Sequence, residues 1–121
     1  MPEIHDPNTP ADVSVVIPTY NEEAALGQVI ADVRAALNTT AYVYEIVIVD
    51  DCSTDGTAAV AQSLNARVIE RKMNGGSGAA RKTGIRAARG KFIVMLDADG
   101  TYTAADIPKM LALMPDWDQV N

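Results

Sequence analysis

Asp97 and Asp99 stand one residue apart in the stretch KFIVMLDADGTY, directly after a mostly apolar run. Two carboxylates held this close repel each other, and one tends to protonate unless a cation intervenes. A hard divalent ion such as Mg2+ or Mn2+ takes oxygen ligands and often bridges carboxylate to substrate phosphate. The plainer alternative is a solvated turn at the end of a strand. A second acidic pair, Asp50 and Asp51, closes EIVIVDD and runs into Ser53, Asp55, Gly56 and Thr57. Asp55, Gly56 and Thr57 read as a turn and the start of a helix. Asp51 is left unexplained by that reading. An acid after the second strand of a nucleotide-binding sheet commonly bonds a ribose hydroxyl or a base edge.

Other chemistries find little support. His5 is the only histidine and Cys52 the only cysteine, which disfavours His/Cys zinc sites and Ser-His or Cys-His nucleophiles. A lone cysteine also forms no intrachain disulfide, in keeping with a reducing, cytoplasmic setting. NGGSGAARKTG resembles a phosphate loop but fails two tests. Arg81, not Gly, precedes Lys82-Thr83, and Gly76-Ser77-Gly78 is followed three residues on by Arg81. What remains is a Gly-rich approach to a helix start, where backbone N–H groups favour an anion. Gly78, Ala79, Ala80 and Gly84 would also let that helix lie close to a sheet.

These residues need a frame. VSVVIP (Val13 to Pro18), EIVIVDD (Glu45 to Asp51), RVIE and KFIVML read as short buried strands. Between them lie helical patterns. TYNEE opens the first, with Thr19 and Glu22 at capping-box spacing and Asn21 as a competing cap. Leu26, Val29, Ile30, Val33 and Leu37 form its apolar stripe. SGAARKTGIRAARG is an Ala-rich helix with Gly90 placed as its terminating glycine. Asp106 to Met114 suggests a last helix with Pro108 in its first turn. Continuous apolar strands alternating with helices predict an α/β fold with a mostly parallel sheet and helices on both faces. In such sheets ligands bind beyond the carboxyl ends of the strands, where PTYNE, DDCSTDGT and DADGTY all fall. Residues 1–12, with Pro2, Pro7 and Pro10, read as a loose tail, and 13–121 as one domain.

The 121 residues carry a net charge of −6. The charge is segregated: residues 67–91 hold eight cations against Glu70 alone, a net +7, leaving −13 elsewhere. That distribution suits a small anion such as a diphosphate better than nucleic acid. Lys82, Arg86 and Arg89 at helical spacing read as a solvated face. No signal-peptide pattern opens the chain, and no apolar run reaches the ~20 residues of a membrane span.

VVIPTYNEE, YEIVIVDDCSTDGT and GGSGAARKTGIRAARGKFIVMLDADGTY together resemble the family-2 glycosyltransferases of the Rossmann-like GT-A fold. The likeness is greatest to the polyprenyl-phosphate sugar transferases typified by dolichol-phosphate mannose synthase. It implies a sugar donor such as GDP-mannose or a UDP-sugar, a Mg2+ or Mn2+ ion, and inverting transfer to an acceptor, here a polyprenyl phosphate. It implies that Pro18, Tyr20 and Glu22 line the nucleotide pocket and that Val49 and Asp51 approach the base and ribose. Asp97, Ala98 and Asp99 would form the Asp-x-Asp site, with Asp97 and Asp99 as metal-binding and catalytic carboxylates. Gly100, Thr101 and Tyr102 replace the Leu, polar residue and His that usually follow, so no third ligand is assigned. The resemblance further implies the donor-binding half of a longer enzyme, working at the cytoplasmic face of a membrane. The 121 residues alone would then bind donor without transferring it, and the sheet edge left open would invite self-association.

Two rivals stand beside this reading. A phosphoacceptor receiver domain also has an acidic pair after one strand and an Asp after another, but its pair belongs after the first strand, not the second. The other is a GT-A-like interaction domain without catalysis.

Overall fold

Four strands and four helices alternate along the chain in the computed structural model, which describes residues 3–98 and 104–112. They are β1 (Ala11–Thr19), α1 (Glu23–Leu37), β2 (Tyr44–Asp50), α2 (Thr57–Ser63), β3 (Arg67–Glu70), α3 (Gly76–Ala87) and β4 (Gly90–Met95). A 3-10 turn at Ala104–Asp106 then leads into α4 (Ile107–Ala112). The expected α/β class is borne out. All pairings are parallel, in the order β3-β2-β1-β4.

Strand alternation decides which helix covers which face. Val13, Val15 and Ile17 of β1 join Tyr44, Ile46 and Ile48 of β2 and Val94 of β4 in the larger core, under α1, α2 and α4. Val16, Val47 and Val49 point the other way and pack with Ala80 of α3. A strand covered on both faces has no solvent side, hence the unbroken apolar runs. α1 contributes Leu26, Ile30, Val33 and Leu37, each fully buried at spacings of about one or two turns. Each such burial contributes about 1.5–3 kcal/mol relative to exposure.

Several local expectations are corrected. β1 begins at Ala11, and the segment read as a loose tail is fastened. Ile4 N–H donates to Tyr44 O at 2.8 Å, and Glu3 receives the Arg34 guanidinium at 2.7 Å. Thr19 belongs to β1 and caps nothing; α1 starts after Glu22, with no cap from the side chain of its own N-cap residue. Gly90 is the first residue of β4, not a helix terminator. Its role is close approach: a Cβ there would lie 2.5 Å from Ser14 N and 2.6 Å from Val13 C. Arg89 does not lie on a solvated face; it is half-buried and reaches toward Glu45 at 3.7 Å. Lys82 and Arg86 are exposed, as expected.

The strand order positions the site. The chain steps outward from β1 to β2 to β3, then crosses back to place β4 on the other side of β1. The strand order therefore reverses between β1 and β4, the place where such sheets open a crevice beyond their carboxyl ends.

Candidate functional site

A cleft of about 290 Å3 occupies this crevice. It is walled by Pro18, Thr19, Tyr20 and Glu22 after β1, Asp51 after β2, Asn74, Gly76 and Ala80 on the approach to and in α3, and Asp97 and Ala98 after β4. Pro18, Tyr20, Glu22, Asp51, Asp97 and Ala98 were expected from sequence, and the fold brings these six together. Val49 is not among them. Its side chain is fully buried beneath α3, because the residue points to the sheet face rather than off its edge. Asp99, with Gly100, Thr101 and Tyr102, lies outside the described residues.

Each wall is held by its own chemistry. At the end of β1 the Thr19 hydroxyl lies 3.3 Å from Asp50 Oδ1 and 3.4 Å from the Val49 carbonyl. The chain then turns through Asn21, whose φ of 54° lies in the left-handed region that Asn tolerates. Asn21 N–H donates to Ser53 Oγ at 2.9 Å, Glu22 N–H to Thr57 Oγ1 at 2.9 Å and Glu23 N–H to Asp55 Oδ2 at 3.3 Å. In return Thr54 N–H donates to Asn21 Oδ1 at 2.9 Å and Gly56 N–H to Glu23 Oε1 at 3.0 Å. The orphan N–H groups at the start of α1 are thus satisfied from the β2–α2 loop, and those of α2 partly from α1. The Thr57 hydroxyl donating to Asp55, helped by the backbone N–H groups of Thr57 and Glu23, holds the Asp55 carboxyl below its usual range.

Asp51 is nearly buried and well supplied with donors. Arg71 Nε lies 2.9 Å from Oδ1, Gly75 N 3.2 Å from the same oxygen, and Gly76 N 3.0 Å from Oδ2. Two N–H groups at the start of α3, a candidate anion site by sequence, those of Gly75 and Gly76, are therefore taken by the chain's own carboxylate. Arg71 also donates to Thr83 Oγ1 at 2.6 Å, tying the loop down onto the helix. Ala80 and Gly84 pack closely on the sheet as expected, with a Cβ on Gly84 reaching 3.1 Å from Val49 Cγ2. Gly78 faces open space instead.

Asp97 contrasts with Asp51. Among the described residues its ion pair is a long one, 3.5 Å from Arg81 Nη2, between partly exposed side chains. It lies at the junction of two spaces, the first cleft and a wider groove of about 690 Å3 between α1 and the α4 region. Among the described residues no group of three or more acids, histidines or cysteines could hold a metal ion. Thr19, Asn74 and Gly76 escaped the sequence reading. From sequence Thr19 reads as a cap, and the Gly-rich loop as a packing or anion-binding segment rather than a wall. No helix among the described residues is long and apolar enough to cross a membrane.

Comparison with known proteins places this geometry. A family model described as glycosyl transferase family 2 matches residues 14–120. The chain is 35% identical over 114 residues to dodecaprenyl-phosphate galacturonate synthase of Rhizobium johnstonii, covering 89% of this chain and 34% of the relative. It is 37% identical over 122 residues to the human dolichyl-phosphate beta-glucosyltransferase, covering 91% and 37% respectively. The chain thus spans about a third of the length of these curated relatives. Among solved structures it is similar to S. aureus TarS 1-349 in complex with UDP-GlcNAc, at TM-score 0.70 and 28% identity over 86% of this chain and 31% of that one. It is also similar to the mannosyltransferase PcManGT from Pyrobaculum calidifontis in complex with GDP-Man and Mn2+. There the TM-score is 0.65 at 29% identity, with 84% of this chain and 31% of that one covered.

Proposed function

The chain belongs to glycosyl transferase family 2 and has the GT-A type of fold, and on that premise we propose that its cleft holds the nucleoside diphosphate of a sugar donor. The full reaction would be inverting transfer of the sugar to a polyprenyl phosphate. The carrying observation is convergence: six residues from three strand ends meet around one cleft at the point where the strand order reverses. The polyprenyl acceptor rests on relatives named for that chemistry. The receiver-domain alternative loses its ground to a family match spanning 14–120.

Each wall then has a task. Tyr20, 46% exposed at the cleft mouth, offers a ring face on which a base can stack. Pro18 and Ala98 supply apolar walls. Asp51 keeps acceptor capacity beyond its three donors, since a carboxylate offers about four lone-pair sites, and it turns this toward the base or ribose. Asp97 and Ala98, with Asp99, form the diphosphate corner.

The residues present are compatible with a divalent cation there. Asp97 is an oxygen donor, partly exposed, whose partner among the described residues is a long one that a cation can displace. Asp97 and Asp99 would hold Mg2+ or Mn2+, which supplies charge neutralisation to the departing diphosphate. An ionised lipid phosphate needs no strong base. Its oxygen forms the new bond to the anomeric carbon while the bond from that carbon to the diphosphate oxygen breaks, and a single in-line displacement inverts the centre.

Calorimetric titration with UDP and GDP, each with and without Mn2+, tests the reading. Saturable binding that strengthens with Mn2+ is expected for one of them. Absence of binding by both would overturn it and favour an interaction domain.

A further inference from the structure

We propose that Thr57 and Asp55, neither of which lines the cleft, are positioning residues that set the placement of Tyr20 and Glu22 in it. This rests on the donor-cleft reading above. The β1–α1 loop does not specify its own shape. It turns through a left-handed Asn21, and α1 has no cap from its own N-cap side chain. The N–H groups of Asn21, Glu22 and Glu23 are satisfied by Ser53, Thr57 and Asp55 of the neighbouring loop. Tyr20 hangs between two such anchors. On one side the Thr19 hydroxyl meets Asp50 and the Val49 carbonyl; on the other, Asn21 and Glu22 are bonded to the β2–α2 loop.

Thr57 is the centre of the arrangement. Its side chain is fully buried, and its hydroxyl accepts from Glu22 N–H while donating to Asp55. Asp55 in turn accepts from Glu23 N–H and from Thr57 N–H at 2.9 Å. The hydroxyl therefore joins the start of α1 to the start of α2. One loop carries a cleft wall, and the other follows directly on Asp51, which is another. A group that fixes the first loop relative to the second fixes the width of the cleft between Tyr20 and Asp51. Removing the Thr57 hydroxyl takes that acceptor from the Asn21–Glu22 peptide and loosens one of the two anchors between which Tyr20 hangs.

The test is binding of UDP and GDP with Mn2+ to the whole chain, its Thr57→Val, Thr57→Ser, Asp55→Ala and Tyr20→Ala variants, and the Tyr20→Ala/Thr57→Val double variant. Thr57→Val is expected to weaken binding about tenfold, the scale of one lost hydrogen bond. Thr57→Ser, which keeps the hydroxyl, should restore it to within about twofold. In the Tyr20→Ala background Thr57→Val should cost less than about twofold, because coupled residues are non-additive whereas a general loosening multiplies through. Asp55→Ala, at an exposed position, carries the same expectation should Thr57→Val fail to fold. Unchanged binding by a folded Thr57→Val or Asp55→Ala, or fully multiplicative losses in the double variant, would overturn the proposal. If the unaltered chain binds neither nucleotide, the donor-cleft reading itself fails and takes this inference with it.

Discussion

The two edges of the sheet both carry buried or half-buried carboxylates, yet their chemistry differs. At the amino edge Glu45 is 2% exposed and accepts from Ser14 Oγ at 2.6 Å, Arg89 N at 2.7 Å and Arg67 Nη1 at 3.2 Å. Ser14 also accepts Gly90 N–H at 2.8 Å, and Arg67 donates to the Ala87 carbonyl at the end of α3 at 2.8 Å. This network fastens β1, β2, β3, β4 and α3 together. At the carboxyl edge Asp97, among the described residues, has one long ion pair, and it borders two open spaces. Asp51 stands between these extremes, with three donors and one side still on the cleft. Residue type alone does not separate a structural carboxylate from a binding one. What separates Glu45 from Asp97 is burial together with the donors that its own chain supplies.

Glu45→Ala gives the largest expected effect. It takes the buried carboxylate from half-buried Arg67 and Arg89 and from buried Ser14, and breaking a pair to a buried acid costs up to about 3–5 kcal/mol. Urea unfolding should show that loss, while the remaining folded molecules bind nucleotide as before. A variant with normal stability and poor nucleotide binding would collapse the distinction between the edges. Asp97→Asn should do the reverse. Its pair with Arg81 is exposed and worth about 0–1 kcal/mol, so the urea midpoint should barely move. Nucleotide binding in Mn2+ should fall by about tenfold or more, a carboxylate being the hard-ion ligand that an amide replaces poorly. A large stability loss with intact binding would place Asp97 among the structural acids.

Much of this contrast was legible in the residues. Continuous apolar strands alternating with helical stripes specify a doubly covered parallel sheet, and such a sheet fixes the edge on which PTYNE, VDD and DAD must lie. Asp51 and Asp97 could be picked out because a turn does not need them. Less legible was whatever depended on partners distant in sequence. Thr19-x-x-Glu22 has capping-box spacing, but β1 extends through Thr19, and the caps of α1 come from residues 32 or more positions away. Gly90 looks like a helix stop because glycine commonly is one. Its actual cause is the Ser14 and Val13 backbone, which local sequence does not show. Val49 sits in a strand whose end belongs to the site, yet alternation turns its side chain under α3. Arg89 reads as part of a solvated helix face until its partnership with Glu45, distant in sequence, is seen.

The smallest effects lie at the pH extremes, and they should fall on opposite edges. Near the amino edge Tyr44 is buried, and burial first, with the nearby Glu3 carboxylate second, pushes its hydroxyl up to about 12, against an opposing influence from Arg34. The neutral hydroxyl donates to Asn38 Oδ1 at 2.9 Å. A raised acid favours the protonated folded state, so its contribution is complete below the ordinary value of 10 and is lost as pH rises through about 12. At the carboxyl edge Asp55 is shifted the other way, chiefly by the Thr57 hydroxyl. Its contribution is present above the ordinary 3.8 and is lost only as pH falls through the lower folded value. Carboxyl-carbon NMR should therefore find Asp55 titrating below 3.8 in the unaltered chain and returning toward 3.8 in Thr57→Val. Tyr44 should titrate identically in both proteins, since nothing in the loop clasp reaches it. A Thr57→Val variant that left the Asp55 midpoint in place would mean that the carboxylate is held by backbone N–H groups alone, and that the two loops are joined less through this hydroxyl than its geometry indicates.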